Sequence, residues 1–329
     1  MNTICITGAF GFIGSHLVEH YLKSGMSVIA VDNLSTGSAK NLAPFMKNPN
    51  MTVRFIDVCN KAEMDPLIEQ SDIVFHMAAP VGVKYIMDNP IHTLLGNVRG
   101  TDVILELCNK YRKVVFIPSS SSVYGKNLDC IPHEDGAKLK EDSYCVFGST
   151  QNHRWAYANT KAFDEFLSFA YYKKYGLPVV CVRFFNVIGP KQTGRYGMVV
   201  PSFIRSALKG HPLSVYGDGT QCRCFVSVHD LVRTMTQLVE MPEAYGDLFN
   251  FGGPYHMNII DLAKLVIKMT GSKSEIEFID FKEAYGDGYE EMMSKEPDVT
   301  KLSKILPVEF KYSMEDILNE IIEYERKRL

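Results

Sequence analysis

Charge of one sign is scarce in this sequence: 35 Lys and Arg stand against 38 Asp and Glu in 329 residues, a formal net charge of -3. So balanced a chain excludes the dense basic face by which proteins hold nucleic acid through its phosphates. Nowhere does it run through the roughly 18 consecutive apolar residues that a membrane-spanning helix needs. The opening MNTICITGAFGFIG lacks a charged segment leading into an apolar run and a small-residue cleavage site, so it reads as a buried strand entering a turn rather than a secretory signal. Second cysteine pairs are missing too. Cys222 and Cys224 have the look of a metal clip, but no neighbouring Cys or His pair completes a zinc set. The eight cysteines fall mostly in apolar runs, and the expectation is a cytoplasmic chain with buried, reduced thiols and no metal. No internal repeat or low-complexity tract is present. The remaining composition, 46% hydrophobic and 22% charged, suits one large core and a second lobe.

The first two-thirds alternates strand and helix patterns. Strands are expected at Thr3–Thr7, Ser27–Val31, Val53–Val58, Asp72–Met77, Lys113–Ile117 and Val179–Phe185. Helices are expected between them, over Phe12–Lys23, Glu63–Gln70, Ile91–Asn109 and Trp155–Tyr175. Strands separated by helix-length segments imply parallel pairing through right-handed crossovers, hence a doubly wound α/β sheet of Rossmann type. After Asn186 the rhythm breaks at GPKQTGRYG (Gly189–Gly197), a functional-loop composition. Helices near Pro201–Lys209, His229–Glu240, Ile259–Met269 and Met314–Lys327, with a strand near Leu213–Tyr216, suggest a smaller α/β lobe. We expect a dinucleotide-binding domain over 1–186, with 225–252 returning to it, and a substrate lobe from 187–224 and 253–329.

Gly8, Gly11 and Gly14 form GxxGxxG directly after the first strand and at the start of the first helix. Such glycines allow a tight turn, close backbone approach to a pyrophosphate and close helix packing, with the anion on free N–H groups at the positive helix end. Asp32 closes the second strand, 18 residues beyond Gly14. It can accept from both adenosine ribose hydroxyls and repels a 2′-phosphate, which points to NAD rather than NADP. Tyr157 and Lys161 stand four apart, one turn along one helix face. A phenol with a reference pKa of about 10 needs help to act as a base near neutral pH, and an adjacent ammonium supplies it. Ser119–Ser122 follow the strand Lys113–Ile117, at the sheet edge where such folds bind ligands.

Taken together, GxxGxxG, Asp32, the serines before Val123-Tyr124-Gly125 and the Tyr157/Lys161 pair resemble the extended short-chain dehydrogenase/reductase family, and within it the UDP-glucose and UDP-glucuronate 4-epimerases and related nucleotide-sugar dehydratases. The resemblance runs through His76-Met77-Ala78-Ala79, Asn97-Val98-Arg99-Gly100-Thr101, Asp57-Val58, Arg183-Phe184-Phe185-Asn186 and Leu213–Arg223. It implies Tyr157, Lys161 and Ser120 as catalytic groups. For NAD it implies Gly8, Phe10, Gly11, Phe12, Ile13, Gly14, Asp32, Asn33, Ser35, Thr36, Gly37, Asp57, Val58, Met77, Ala78, Ala79, Asn97, Ser119 and Phe184, with Phe185 also at the nicotinamide. For a UDP-sugar it implies Val83, Ser120, Ser121, Ser122, Asn186, Arg195, Met198, Val199, Tyr216 (near uracil) and Arg223 (on the diphosphate). A homodimer built on the Ile91–Asn109 and Trp155–Tyr175 helices is also implied.

The residues beside Ser120 bear on the reaction. Dehydratases of the family carry Asp-Glu there and glucuronate decarboxylases usually carry Glu at the position of Ser122; this chain has Ser121-Ser122. What the resemblance then implies is 4-epimerisation through a 4-keto sugar, with UDP-glucuronate decarboxylation, or another dehydratase or reductase of the family, as alternatives. Ser121, Ser122 and Arg195 suit a C6 carboxylate; Arg195 could equally serve the diphosphate or solvent. One departure stands out: the family often has consecutive arginines before a Pro-Asp pair, whereas Met292-Met293-Ser294-Lys295 lead to Pro297-Asp298 here, a weakened phosphate clamp.

Overall fold

A computed structural model describes residues 2–80, 89–134, 136–194, 197–286 and 289–329. Val83 and Arg195, both expected at the sugar, lie outside the described residues.

Apolar, β-branched runs build the centre of the chain. β1 (Thr3–Thr7), β2 (Ser27–Asp32), β3 (Met51–Phe55), β4 (Ile73–His76), β5 (Val114–Ser120), β6 (Val179–Phe184) and β10 (Asp247–Phe251) form one parallel sheet in the order β10-β6-β5-β4-β1-β2-β3. The order reverses between β1 and β4, and the crevice that opens there at the carboxyl ends is where a doubly wound sheet takes its ligand. Helices on both faces seal the strands in two apolar layers, one around Ile4, Ile6, Phe75 and Phe116, the other around Cys5, Val74, Ile104 and Ile117. Alternate residues of the same strands thus enter opposite layers, as a sheet buried on both faces requires.

Two strand limits differ from expectation. β3 spans Met51–Phe55 rather than Val53–Val58: it is an edge strand with only partial burial, and the chain leaves it at Asp57, whose carboxylate turns the backbone by accepting from Cys59 N–H at 2.8 Å. β5 continues past the apolar run into Ser119 and Ser120, pairing with Arg183 and Phe184 of β6. Hydroxyl side chains expected just beyond the strand are thereby held on rigid sheet. β10, from a late segment, pairs in parallel with β6.

The remaining chain packs helices Val199–Lys209, Ile259–Thr270 and Met314–Arg326 around a third apolar cluster that includes Phe203, Leu213, Leu262 and Ile321. Two small sheets accompany them: β11 (Tyr255–Asn258), β9 (Cys222–Ser227) and β7 (Val187–Ile188) in one, β12 (Ile276–Ile279) beside β8 (Leu213–Tyr216) in the other. Helix Met314–Arg326 starts with a reciprocal capping box between Ser313 and Asp316. The thiols are free, and Cys130 and Cys145, expected buried, are exposed: Cys130 ends the short helix Asn127–Cys130 and Cys145 lies in the irregular chain after it.

Two histidines are stored as neutral rings. His16 donates from Nε2 to the Pro190 carbonyl at 3.0 Å and His76 shares a 2.9 Å hydrogen bond with Thr7 Oγ1. Burial, aided by Lys191, lowers His16 to about 4; burial, aided by Lys161, lowers His76 to about 3. Both values lie below the unfolded value near 6.5. Their stability contribution is therefore present above pH 6.5 and lost as acid drives proton uptake by the unfolded chain. Between pH 6.5 and about 4 we expect a decline of about 1.4 kcal/mol per pH unit for each histidine. Urea unfolding of the wild type and of His16→Gln measures it: the variant's slope should be shallower by one proton, and equal slopes would contradict the assignment.

Candidate active site

The crevice at the β1/β4 switch is a cavity of about 290 Å³ whose floor is the glycine turn. Gly8 has φ +63, and a methyl there would stand 2.7 Å from Ala78 N; a methyl on Gly14 would stand 2.1 Å from the Gly8 carbonyl oxygen. Those two glycines are demanded by the protein itself. Gly11 differs, since a methyl there would meet only the Gly8 oxygen, at 3.1 Å, and would otherwise project into open space. Helix Phe12–Lys23 begins at Gly11 with no side-chain cap and no acid in its first turn, leaving its positive end without a partner. A pyrophosphate fits that cradle. At the far side Asp32, 6% exposed, accepts from Phe10 N–H at 2.9 Å and Leu34 N–H at 2.7 Å, while burial holds its carboxyl above the usual range. Its lone pairs toward the cavity are left for ribose hydroxyls. The residues present fit a dinucleotide.

Tyr157, Lys161, Ser120 and Phe184 also line this cavity. Helix Ala156–Tyr175 carries the pair and β5 carries the serine, so the two elements set the spacing between them. Ser120 shares the cavity wall with Tyr157 and caps the short turn Ser121–Tyr124 by accepting from Ser122 N–H at 3.1 Å. Burial holds the phenol above its ordinary value; Lys161 and Ser120 oppose that, and Asp164 adds to it. Lys161 is itself paired with Asp164 at 3.1 Å, both almost fully buried. Burial disfavours its ammonium, but Asp164 and Tyr157 outweigh burial and keep Lys161 above the ordinary lysine value. The sequence reading has the ammonium acting on the phenol alone; the structure adds a counter-charge one turn further along the helix.

A second cavity, of about 450 Å³, meets the first at Ser120, Tyr157 and Phe184. It is lined by Ser121, Ser122, Asn186, Met198, Val199, Tyr216 and Arg223, all expected at the substrate. Asn186, at φ +25, fixes its amide by donating to the Cys224 carbonyl at 3.0 Å. Arg223 is not free for a diphosphate: its guanidinium bonds Glu291 at 2.8 Å. The far wall is aromatic, with Tyr216 edge-on to Tyr285 at 5.3 Å and Tyr285 stacked on Tyr289 at 4.2 Å.

Of the residues expected at the cofactor, Gly8, Gly11, Phe12, Ile13, Gly14, Asp32, Asn33, Ser35, Thr36, Asp57, Val58, Met77, Ala78, Ala79 and Ser119 line the first cavity with the Tyr157 group. Four others do not. Phe10 is fully buried and serves by presenting its N–H to Asp32. Gly37 lies against the Asp32 carboxylate, where a methyl would sit 3.0 Å from Oδ2. Asn97 is buried behind the wall, donating to Thr160 Oγ1 at 3.2 Å. Phe185 points inward onto Tyr124, ring centroids 6.0 Å apart, because alternate residues leaving β6 face opposite ways. Ser119 lines the cavity, but its hydroxyl is given to Glu165. Sequence reasoning missed Asp164, Arg154, Tyr285 and Tyr289. Arg154 carried a signal, standing three residues before Tyr157; the tyrosines carried none.

Comparison with known proteins agrees with this geometry. Residues 4–252 match the NAD dependent epimerase/dehydratase family. A UDP-N-acetyl-alpha-D-glucosaminuronate decarboxylase of Bacillus cytotoxicus is 38% identical over 98% of this chain and 97% of its own length. UDP-glucuronic acid decarboxylase 1 of Xenopus tropicalis is 32% identical over 99% of this chain and 72% of its own. Among solved structures, the UDP-glucuronic acid 4-epimerase of Bacillus cereus in complex with UDP-glucuronic acid and NAD superposes with a TM-score of 0.86 at 28% identity, covering 99% of this chain and 100% of that one. By that match and the near-complete relative, the chain belongs to the NAD-dependent epimerase/dehydratase family of enzymes.

Proposed function

We propose that this protein is an NAD-dependent 4-epimerase of a UDP-linked hexuronate. Gly8, Gly11, Gly14 and Asp32 hold the cofactor, which when bound supplies the acceptor and later the donor of a hydride. Tyr157 takes the proton from the sugar O4 and returns it, with Ser120 fixing the hydroxyl beside the phenol. Lys161 keeps positive charge next to the oxygen that must become anionic, and Phe184 walls the junction of the two cavities. The aromatic wall at Tyr216 and Tyr285 offers stacking faces for the base.

One observation carries the choice of epimerisation. Among the described residues lining the sugar end, the groups beside Ser120 are the hydroxyls of Ser121 and Ser122, and the cavity's one carboxylate, Glu291, is held by Arg223 and by Tyr289 Oη at 2.9 Å. Elimination of water needs an acid and a base at C5 and C6. Loss of carbon dioxide from a 4-keto uronate leaves a carbanion at C5 that needs a proton donor. No free carboxylate among the described lining residues stands ready for either task, and the ketone can instead turn over and be reduced on its other face. The uronate is supported by the names of the relatives above, which agree on that class of sugar.

Decarboxylation is the second reading, favoured by the near-complete, 38% identical relative. Incubation with UDP-glucuronate and its 2-acetamido analogue separates the two. A product of unchanged mass with an inverted 4-hydroxyl supports epimerisation; a product lighter by one carbon dioxide overturns it. Turnover of UDP-glucose with neither uronate consumed would overturn the choice of sugar. Self-association through helices Pro90–Tyr111 and Ala156–Tyr175, which expose Ile91, Phe163 and Phe166, belongs to the same proposal, and sedimentation tests it.

A further inference from the structure

Three side chains stand on one face of helix Ala156–Tyr175: Tyr157, Lys161 one turn on, and Asp164 one turn beyond that. The first two line the cofactor cavity, whereas Asp164 does not reach it. Lys161 Nζ lies 3.1 Å from Asp164 Oδ2, with the lysine side chain 3% and the aspartate 0% exposed. A carboxylate this deep is ordinarily met by several donors. Here its second oxygen, Oδ1, has no hydrogen-bond partner, and the Lys161 ammonium is the donor that holds Oδ2. The two charges are therefore committed to each other.

The groups packed around them add no net charge. Thr101 faces the carboxyl from helix Pro90–Tyr111, and Ser120 shares the cavity wall with the phenol from β5. His76 of β4 and Cys181 of β6 lie within electrostatic reach of Lys161, but burial keeps the imidazole neutral and the thiol protonated. Glu165, the next residue of the helix, is neutralised by its two hydrogen bonds from Arg183. What remains beside the phenol is one ammonium and one carboxylate, which cancel.

A lone buried ammonium one turn away would favour the phenolate strongly. A phenolate made too stable is a poor base, and a group that takes a proton and later returns it works best with an affinity close to the operating range. Burial, and after it Asp164, act on the phenol in the opposite sense to Lys161.

We propose that Asp164 is a positioning residue for the base: it fixes the Lys161 ammonium and cancels its charge, so that Tyr157 holds its proton more tightly than an unpaired ammonium would allow. The functional consequence rests on the reading of Tyr157 as the base; the charge arrangement does not.

Alkaline titration of the NAD-loaded protein, followed by tyrosinate absorbance and taken as the difference between each protein and its Tyr157→Phe counterpart, isolates the ionisation of Tyr157. In Asp164→Asn that ionisation should fall about one to two pH units below wild type, because removing a negative charge eases loss of the first proton from the Tyr157–Lys161 pair. The acid limb of the kcat profile with UDP-glucuronate should move down with it. Asp164→Glu restores the charge and should return both toward wild type, which a purely structural role for Asp164 does not require. Bound NAD in each variant reports an intact fold. Lys161→Met combined with Asp164→Asn removes both charges, leaves none uncompensated and should ionise close to wild type; if the ammonium alone mattered, it would ionise well above. An unshifted ionisation in Asp164→Asn, or a double variant well above wild type, overturns the proposal. If the ionisation shifts as expected while Tyr157→Phe keeps full turnover, the charge arrangement stands and the reading of Tyr157 as the base falls. If Tyr157→Phe is inactive and the ionisation does not shift, that reading stands and the role of Asp164 falls.

Discussion

Tyr157→Phe is expected to reduce turnover by about 10²- to 10⁴-fold while NAD remains bound. The substitution removes one oxygen from a half-buried ring on the wall shared by both cavities and leaves the ring's packing in place. The cradle for the pyrophosphate lies elsewhere, in the Gly8–Gly14 turn, and the ribose acceptor is Asp32. Binding and chemistry therefore separate in this variant: the cofactor's dissociation constant should move little and kcat should collapse. Ser120→Ala removes a hydroxyl that favours the phenolate and should fall in the same direction by less, since Lys161 remains. Unchanged kcat in Tyr157→Phe would remove Tyr157 as the base. Loss of NAD together with activity would show that its hydroxyl is part of the cofactor site instead.

How far the chain could be read without coordinates depends on what kind of interaction fixes each feature. β1 and the first helix fall on the expected limits, Thr3–Thr7 and Phe12–Lys23, because period, turn glycines and length all agree locally. The edge strand β3 was displaced by two or three residues, since partial burial weakens the apolar signal on which the assignment rests. Gly8, Gly14, Asp32 and the Tyr157/Lys161 spacing are chemistry written at short range and could be placed in advance. Asn97 and Phe185 could not: each sits in a stretch that resembles a cofactor segment, and only the packing shows that Asn97 reaches Thr160 and Phe185 reaches Tyr124. Lys295 illustrates the opposite case. Read along the chain it is the remnant of a weakened clamp, yet folding brings it within the electrostatic reach of Arg154 and Arg223, from positions roughly 140 and 70 residues away.

Arg183→Met is expected to destabilise the fold by about 3–5 kcal/mol, the cost of leaving a buried carboxylate without its cation. Glu165, from the Tyr157 helix, receives two hydrogen bonds from the Arg183 guanidinium, at 2.8 and 2.7 Å, and both side chains are less than a tenth exposed. The same carboxylate accepts the hydroxyl of Ser119, next to Ser120. Arg183 continues the chain of contacts, donating to the Glu141 carbonyl at 3.2 Å and lying 4.4 Å from the centre of the Tyr124 ring, whose hydroxyl donates to Asn250 at 2.6 Å. Glu165 thus ties the helix that carries Tyr157 to β6 through Arg183 and, through Ser119, to the end of β5 that carries Ser120. Replacing both partners, as in Glu165→Leu with Arg183→Met, removes the uncompensated charge and should recover much of the lost stability in urea unfolding. It should not recover kcat, because Ser119 no longer has an acceptor and the Ser120–Tyr157 spacing is set by packing alone. A double variant with restored stability and full activity would show that Glu165 and Arg183 hold the fold and have no part in positioning the serine.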